Sequence, residues 1–485
     1  MHGGDAEQGQ VQLPPGPSAI PPLAPPGPSS VSWGDCDEVV QAGLAGVPRP
    51  LWLRLKCGKV TNVLDSPTMP GRGVTRLTML RAGSGDIPIV VVNDVSGEPG
   101  TVHAARLASA MPQEFLTRFS LIGLDRRGTG SSEPVRCLPP EVRSAIVHAD
   151  PAAGDVTELL QAASKAGQQC VINLELRFGA LDTWRTAADL NRVRGTLGLD
   201  RLHAIGIGEG SRALSVFADR FPDRVGRMVL DGVPDPSRDS VASLADVAAG
   251  AEATFTTFAG ECLARGCPIG PDPRQAVLQL IEQLRAQPLS LPDGRVLSAG
   301  AAIRGVQLGL ADRPQWTALA DAIGRARTGD GTALLAVVRP WLEDSKERPT
   351  RLDVNLVTGC NDTRDRLSLE PMNRAASEWR DRFPLFGGLM AQKLVLCGPW
   401  PVASNPPEPP TARGAPPIMV VSTSGDPITP ELGTQRAARQ LTSAVTISWA
   451  GSGHGALTSS DCATSAATAF LLDGKVPIEG TTCPP

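Results

Sequence analysis

Residues 202–211, LHAIGIGEGS, carry the signal that decides the fold of this 485-residue chain. The first six residues form a short apolar run, which is typical of a buried parallel strand. A helical spacing of apolar residues follows from Ala213. Between the two, Gly206, Gly208 and Gly210 alternate with larger residues and allow a sharp backbone turn. The stretch therefore predicts a strand, a tight turn and a helix in immediate succession.

The same strand and helix alternation extends along the chain in both directions. Further apolar runs that predict strands lie at residues 87–92, 120–124, 225–230, 417–422 and 444–448. Helical patterns alternate with them at residues 101–117, 183–197, 211–221 and 430–441. This alternation predicts an α/β protein with a doubly wound, mostly parallel sheet.

The alternation stops in the middle of the chain, where amphipathic helical patterns dominate. We interpret this stretch as a helical cap inserted between two halves of one sheet. The predicted parts are a proline-rich tail or spacer at residues 1–31, the first part of the core at 32–235, the cap at 236–395 and the second part of the core at 396–485.

The composition excludes several classes of protein. Apolar residues make up 41% of the chain, which is enough for a sizeable core, so a mainly disordered chain is excluded. The formal net charge of −4 argues against a nucleic-acid partner. No apolar run in the sequence approaches the roughly 20 residues that span a bilayer. The histidines and cysteines show no zinc-ligand spacing, and we expect neither a metal nor another cofactor.

The ten cysteines favour disulfides in an oxidising compartment over buried free thiols in a cytosolic enzyme. The sequence does not fix their connectivity. Our working hypothesis is sequential pairing, 36–57, 137–170, 262–267, 360–397 and 462–483. Residues 1–30 are proline-rich and lack the basic and apolar regions of a secretory signal. We therefore expect a secreted or cell-envelope protein whose export signal is not visible in this sequence.

Residues 206–210, GIGEG, fit the frame of the nucleophile elbow G-x-S-x-G of the α/β-hydrolase fold. In that motif a strained turn lifts the central serine to the top of the sheet. Here the central position is Gly208, which has no side chain to attack with. A dinucleotide-binding loop is the competing interpretation, but the pattern G-x-G-x-x-S departs from its fingerprint. Asp231, at the distance of the ribose-binding acid, follows a full predicted helix and strand.

Two further positions fit the other members of a catalytic triad. Asp426 lies in GDPITP directly after a predicted strand, and His454 lies in GHG after the next one. The chain order nucleophile, acid, histidine is that of the α/β-hydrolases. A carboxylate that orients a histidine is also what base catalysis requires.

From residue 33 to residue 483 the chain resembles the secreted α/β-hydrolases of the tripeptidyl aminopeptidase and proline iminopeptidase type (peptidase family S33). The resemblance is carried by SWGDC at 32–36, DRRGTGSS at 125–132, the region 189–232, CND at 360–362, GDPITP at 425–430 and GHG at 453–455. It implies a secreted exopeptidase that removes short N-terminal peptides through a Ser-Asp-His triad under a helical lid, and it also implies disulfides. Carried over to this sequence, it gives Asp426 as the triad acid, His454 as the base and Gly208 at the nucleophile position.

A second departure from the family lies in the loop that would bind the oxyanion. Members usually have a glycine-rich HGGPG-like run after the first long strand, whereas this chain reads NDVSGEPG at residues 93–100. We assign the oxyanion position to Asn93, Asp94, Val95 and Glu209. A carboxylate of Asp94 or Glu209 near that position would oppose a developing oxyanion.

Two departures in the same machinery predict that hydrolysis is lost or very weak. We expect a pseudoenzyme that binds a peptide or protein partner in the cleft between sheet and cap. One alternative is an active serine-type exopeptidase with a non-standard nucleophile, either Ser211, about one helical turn past the elbow, or a water activated by His454. A second alternative is a structural cell-envelope protein presented on the proline-rich spacer.

Overall fold

The strands of the protein were located in a computed structural model that describes residues 19–237, 239–401, 406 and 408–485. Within these residues eleven strands form: β1 (Leu55–Val63), β2 (Val74–Ala82), β3 (Ile87–Val92), β4 (Phe119–Leu124), β5 (Leu202–Ile207), β6 (Val225–Asp231), β7 (Leu289–Ser290), β8 (Val296–Leu297), β9 (Ile418–Gly425), β10 (Ala444–Ser452) and β11 (Thr481–Cys483).

Helices occupy most of the remaining described residues. The α-helices are α1 (Glu38–Leu44), α2 (Gly100–Ala110), α3 (Gln113–Arg118), α4 (Pro140–His148), α5 (Thr157–Leu174), α6 (Thr183–Thr196), α7 (Glu209–Arg220), α8 (Ser240–Ala264), α9 (Pro273–Ala286), α10 (Ala299–Ala311), α11 (Trp316–Arg327), α12 (Thr332–Leu342), α13 (Arg351–Asn361), α14 (Leu369–Arg382), α15 (Gly387–Leu396), α16 (Glu431–Gln440) and α17 (Asp461–Asp473). Short 3₁₀ helices cover Glu175–Ala180, Pro222–Arg224 and Arg313–Gln315.

The main sheet has the strand order β1-β2-β4-β3-β5-β6-β9-β10-β11 across the described residues. β2 is antiparallel to both of its neighbours, and all pairs from β4 to β11 are parallel. β7 and β8 form a separate two-stranded hairpin within the cap region. The predicted mostly parallel sheet of an α/β-hydrolase fold is confirmed. The antiparallel β1–β2 edge and the three-residue β11 were not predicted.

The central strands are apolar on both faces because helices cover both sides of the sheet. In β3, Val90 and Val92 belong to one buried cluster, and Ile89 and Val91 belong to the cluster on the opposite face. Side chains alternate between the two faces of a strand. A continuous apolar run such as IPIVVV therefore predicts a strand buried on both sides, as is observed.

Helix boundaries follow local capping chemistry. α6 begins after Asp182, whose carboxylate accepts the backbone N–H of Arg185 at 2.7 Å. α17 ends at Gly474, which adopts a left-handed conformation with φ of +66°.

The stretch between β6 and β9 contains α8 to α15 and the β7–β8 hairpin, and we refer to it as the cap region. These helices share one apolar cluster with α4 and α5, and that cluster is separate from the two clusters that flank the sheet. Among the helices of the described residues, none combines the length and apolar character that a membrane span requires. The described residues also contain no group of three side chains arranged to hold a metal ion.

Five disulfides join the cysteines in sequential order, 36–57, 137–170, 262–267, 360–397 and 462–483. This is the pairing hypothesised from the sequence. The disulfides 36–57 and 462–483 anchor the two edge strands of the sheet, since Cys57 lies in β1 and Cys483 in β11.

The proline-rich N-terminal segment is described only from residue 19 onward, so its first 18 residues lie outside the described part. The described portion runs along the core. Ile20 and Leu23 pack against the cluster on one face of the sheet, and Gly27 donates its N–H to the carbonyl of Gly198 at 2.8 Å.

Candidate functional site

Four loops that follow parallel strands meet at one edge of the sheet. Gly208 follows β5, and Asp426 follows β9. Asp94 lies two residues after β3, and His454 lies two residues after β10. Carboxyl ends of parallel strands share one edge of a sheet, which is where α/β folds place their sites.

The turn between β5 and α7 keeps the backbone of a nucleophile elbow. Gly208 has φ of +57° and ψ of −122°, and its N–H donates to the carbonyl of Asp231 at 3.1 Å. The flanking glycines are required by close contacts. A Cβ on Gly206 would lie 2.7 Å from the Cα of Ser211, and a Cβ on Gly210 would lie 2.0 Å from a backbone oxygen. The frame is intact and only the central side chain is missing.

The carboxylate of Asp94 fills the space in front of Gly208. A Cβ built on Gly208 would lie 2.1 Å from Asp94 Oδ1. That oxygen accepts the backbone N–H of Glu209 at 2.7 Å, and Oδ2 lies 2.7 Å from Nε2 of His454. In a serine hydrolase the corresponding N–H donates a hydrogen bond to the oxyanion, and the corresponding histidine nitrogen accepts the proton of the serine hydroxyl. Here both groups are bonded to Asp94.

Glu209 fills the rest of the predicted oxyanion position. Its Oε2 accepts the backbone N–H of Val95 at 3.1 Å. The amides of Val95 and Glu209 are therefore each bonded to a carboxylate of the chain itself. A developing oxyanion would meet two carboxylates in place of two free donors.

Asn93, the fourth residue assigned to the oxyanion position, stabilises the loop of residues 93–99 through a side-chain hydrogen bond. It is 5% exposed, and its Nδ2 donates to the carbonyl of Glu98 at 2.8 Å. The Glu98 side chain binds Arg106 at 3.0 Å. Burial would raise the pKa of Glu98, but His103 and Arg106 lower it to about 2.

His454 lies between two carboxylates. Its Nδ1 is 3.0 Å from Asp426 Oδ2, and its Nε2 is 2.7 Å from Asp94 Oδ2. Thr429 holds Asp426 in place by donating its hydroxyl to Oδ2 at 2.8 Å. Burial alone would lower the pKa of His454, but the charges of Asp426 and Asp94 and their hydrogen bonds raise it well above 6.5. The two carboxylates therefore favour the protonated ring, in which both nitrogens can donate.

The two carboxylates around Gly208 differ in their electrostatic environment. Burial would raise the pKa of Asp94, but His454, the Glu209 amide and Arg126 lower it below 3.8. Burial raises the pKa of Glu209 above 4.5, and the charge of Asp94 adds to this effect. Arg126 is 3% exposed, and its Nε and Nη1 have no hydrogen-bond partner in the described structure.

Ser211, the alternative nucleophile, makes no hydrogen bond to His454 within the described residues. It is fully buried, and its hydroxyl donates to the carbonyl of Asp231 at 3.3 Å. The Asp231 carboxylate accepts the backbone N–H groups of Ala456 and Leu457 at 2.8 to 3.0 Å. Asp231 thus anchors the loop after His454, and its buried position leaves it no access to a dinucleotide ribose.

The DRRGTGSS turn also has a structural role. Arg127 forms a buried ion pair with Asp189 at 2.6 Å and donates to two backbone carbonyls. Asp125 accepts the N–H groups of Thr101 and Ser131 at 2.9 and 2.8 Å. These bonds fasten the end of β4 to neighbouring elements.

A cavity of about 400 Å³ separates this edge of the sheet from the cap. Its walls come mainly from α8, α13 and α15, with Arg304 from α10 and Trp341 from α12, and the core contributes residues that include Glu209, Arg212 and Ile428. Asp94 and His454 are not among the described residues that line it. Glu209 is thus the residue of the elbow that reaches the cavity.

Sequence reasoning missed three residues that shape the site: Thr429, Arg126 and Lys393. Thr429 and Arg126 each follow a strand that ends at this edge, and that position was the available signal. Lys393 comes from α15 in the cap, and no sequence pattern placed it near Glu209.

Comparisons with known proteins relate the chain to a family and to individual relatives. The family described as TAP-like protein matches residues 383–483. Serine protease Hip1 of Mycobacterium tuberculosis H37Rv is 30% identical over 454 residues, covering 88% of this chain and 87% of that protein. Tripeptidyl aminopeptidase of Streptomyces lividans is 25% identical over 479 residues, covering 94% and 87%. Among solved structures, a thermophilic esterase from Thermogutta terrifontis matches with 13% identity and a TM-score of 0.38, covering 85% of this chain and 96% of the esterase.

Proposed function

The chain belongs to the α/β-hydrolase family of the serine protease Hip1 and the tripeptidyl aminopeptidases, and we propose that it is an exported member that binds a peptide or protein partner without efficient hydrolysis. In this proposal Asp426 and His454 hold the positions of the triad acid and base. Gly208 holds the position of the absent nucleophile.

The observation that carries the proposal is the pairing of His454 with two carboxylates. A general base must offer a free ring nitrogen to the group that it deprotonates. The Nε2 of His454 is already bonded to Asp94 at 2.7 Å, and the raised pKa keeps the ring protonated at neutral pH. Neither a serine nor a water can pass a proton to this nitrogen while Asp94 is in place.

The losses of turnover that are typical of such changes support a site with very little hydrolysis. Loss of a triad nucleophile typically costs about a millionfold in turnover. Loss of one oxyanion donor costs about a hundredfold to a thousandfold more. Here the nucleophile is absent, and the amides of Val95 and Glu209 are both bonded to carboxylates.

A binding role is supported by the cavity under the cap. Ligand pockets are typically concave, largely apolar and about 300 to 1,000 Å³ in volume. The cavity of about 400 Å³ falls in this range and reaches Glu209 of the elbow. Export is supported by the five disulfides, because such bonds persist mainly in oxidising compartments.

Labelling with a fluorophosphonate serine probe tests the loss of hydrolysis. We expect the intact mass of the protein to stay unchanged under conditions that label the tripeptidyl aminopeptidase of Streptomyces lividans in parallel. An adduct that maps to Ser211 would overturn the proposal in favour of a working serine hydrolase.

Titration with a library of short peptides tests the binding role. We expect saturable binding, with every peptide recovered uncleaved by mass spectrometry. The matched variants are Gly359→Trp and Gly260→Trp. Both glycines are helical, and a Cβ on either meets open space, but only Gly359 lines the cavity. Binding should weaken in the first variant and not in the second. Peptide binding that is insensitive to Gly359→Trp would place the ligand elsewhere.

A further inference from the structure

Four cationic side chains line the cavity under the cap, Arg212, Arg304, Arg364 and Lys393, and two of them, Arg304 and Lys393, lie on the cap helices α10 and α15. Arg304 of α10 is 7% exposed, and its Nε has no hydrogen-bond partner. Lys393 of α15 lines the same cavity. Within the described residues, neither side chain makes a hydrogen bond or an ion pair, and the Arg304 guanidinium has only the Trp341 ring, 5.8 Å away.

The acidic residues of the cavity wall are already bonded to other groups. Each accepts hydrogen bonds from the chain itself: Asp235 and Asp246 from Arg436, Asp362 from Thr183, Asp365 from Ser240 and Glu209 from Val95. None of these carboxylates bonds to Arg304 or Lys393, so within the described residues the two cations have no direct counter-ion in the cavity wall.

Such an arrangement is costly for the folded chain. A buried charge normally needs a partner, and an unpaired one is found mainly where a ligand supplies it. Burial lowers the pKa of Arg304 to about 10, and burial together with Arg304 lowers the pKa of Lys393 to about 8. Both side chains are still predominantly charged at neutral pH.

We propose that Arg304 and Lys393 form an anion subsite in the cap cavity, which binds the oxyanion head of an amphipathic ligand. The chemistry fits a carboxylate or phosphate group, because guanidinium and ammonium groups pair with both. The rest of the wall accommodates an apolar body through Ile146, Leu244, Trp341, Leu352, Leu356 and Leu394. This inference rests on the proposed function, in which the cavity holds its ligand without turnover, and it assigns to a peptide ligand a free carboxylate.

The subsite can be tested with a dye pair that differs only in charge. 8-Anilinonaphthalene-1-sulfonate carries an apolar body and a sulfonate, and N-phenyl-1-naphthylamine has the same body without the anion. We expect Arg304→Met and Lys393→Met each to weaken sulfonate binding about tenfold, since a charge-assisted hydrogen bond contributes about 1.5 kcal/mol or more. Binding of the neutral dye should not change. Circular dichroism and the melting temperature show whether each variant is folded.

The control variant is Arg364→Met. Arg364 lines the same cavity, but its side chain is 56% exposed and lies 3.9 Å from Glu408. This variant should leave the affinity of both dyes unchanged. Equal weakening of both dyes in Arg304→Met would point to lost shape and would overturn the anion subsite. Absence of saturable sulfonate binding to the wild-type protein would overturn it as well.

A second experiment, with peptides, distinguishes a failure of the anion subsite from a failure of the proposed function. Apolar tripeptides with a free carboxylate are compared with the same peptides as amides and with a phosphate monoester of similar size. Tighter binding of the acid, abolished in Arg304→Met, supports both proposals. Equal binding of acid and amide overturns the subsite and leaves the peptide-binding function standing. Binding of the phosphate ester alone supports the subsite and contradicts a peptide ligand.

Discussion

At the centre of the site, the absence of a side chain at Gly208 leaves the space that the Asp94 carboxylate fills. Any side chain at position 208 would place its Cβ 2.1 Å from Oδ1 of Asp94, so glycine leaves the room that the carboxylate occupies. Asp94 in turn bonds to the Glu209 amide and to His454, the two groups that a serine mechanism needs free. In the proposed function this is an exchange, in which the Asp94 carboxylate occupies the space of a nucleophile side chain at position 208.

This exchange predicts strong coupling between positions 94 and 208. Gly208→Ser alone should destabilise the protein by about 1–3 kcal/mol, because the added atoms overpack a filled space. Asp94→Gly combined with Gly208→Ser should be more stable than the sum of the single effects, since the clash is gone. Urea denaturation of the wild type, both single variants and the double variant gives the coupling energy.

The same variants test whether the remaining machinery is competent. Gly208→Ser alone should stay unlabelled by a fluorophosphonate probe. The triple variant Asp94→Gly, Gly208→Ser, Glu209→Ala should become labelled, because it frees the His454 nitrogen and both amides. Additive stabilities at positions 94 and 208, or labelling of the single variant, would contradict the geometry.

The charge state of His454 gives a second prediction. Its raised pKa means that protonation stabilises the folded protein fully below pH 6.5, and that this contribution is lost as the pH rises through the folded-state pKa. In Asp94→Asn one of the two charges that raise this pKa is removed. The His454 ring should then titrate at a lower pH, and the loss of stability should still begin near pH 6.5 but end at a lower pH than in the wild type. NMR of the ring carbon and urea denaturation between pH 5 and about pH 10 measure both effects.

Glu98→Gln is the matched control for this titration. Glu98 lies in the same loop as Asp94, but it pairs with His103 and Arg106 and does not contact His454. The His454 titration should be unchanged in this variant. A wild-type His454 that titrates near pH 6.5 would show that the two carboxylates do not hold its proton.

Sequence reasoning named Asp94, Asp426 and His454, which the structure brings together, but not their contacts. The carboxylates of Asp94 and Glu209 were expected to oppose an oxyanion. The bond between Asp94 and His454 could not be predicted, because it depends on how far two loops, separated by 360 positions, extend above the sheet. The direction of the Ser211 hydroxyl was equally inaccessible, since it depends on where the carbonyl of Asp231 ends β6.

At the level of elements, the apolar runs were sufficient for the central strands and the adjacent helices. β3, β5, β6 and β9 are buried on both faces, so their sequences carry a continuous apolar signal. The edge strand β1 alternates between buried and exposed residues and includes Lys56 and Lys59. Its signal is weaker because only one face is covered, which is why the antiparallel edge was missed.

The disulfide 360–397 connects two elements that line the cavity. Cys360 lies near the end of α13 and Cys397 directly after α15, and both cysteines are part of the wall. Removing it as Cys360→Ala, Cys397→Ala should cost about 2–4 kcal/mol. It should also weaken binding of the sulfonate dye, because α15 carries Lys393. Fluorescence titration and urea denaturation measure the two effects separately.

The matched control is removal of the disulfide 36–57. This bond closes a loop of 21 residues, compared with 37 for the cavity bond, so the expected cost in stability is similar. It lies at the β1 edge of the sheet, and neither cysteine lines the cavity. Dye binding should therefore stay at the wild-type level. Equal loss of binding in both variants would indicate a general loosening of the fold.

For the whole molecule, charge is arranged in two adjacent sets. At the sheet edge the carboxylates of Asp94 and Asp426 flank one histidine, and in the cap cavity Arg304 and Lys393 bond to none of the wall's carboxylates. Glu209 lies at the boundary, where the charge of Asp94 raises its pKa and where it interacts with Lys393. A net charge of −4 for the chain gives no indication of this separation. It arises only when the cap, inserted between two halves of the sheet, folds back over the elbow.

The unpaired cation in the cavity leads to a prediction about the ligand-free protein. Arg304→Met should raise the free energy of unfolding by about 1–3 kcal/mol, because an unsatisfied buried charged group is replaced by an apolar side chain of similar length. Arg143→Met is the matched control. Arg143 is also buried, at 6% exposed, but it pairs with Asp353 at 2.9 Å. Its removal should cost about 3–5 kcal/mol, because Asp353 is left without its partner.

Urea denaturation without ligand measures both changes, and saturating sulfonate dye should stabilise the wild type more than Arg304→Met. A destabilised Arg304→Met variant would mean that this arginine supports the fold of the cap. It would contradict the prediction that the unpaired charge lowers the stability of the ligand-free protein.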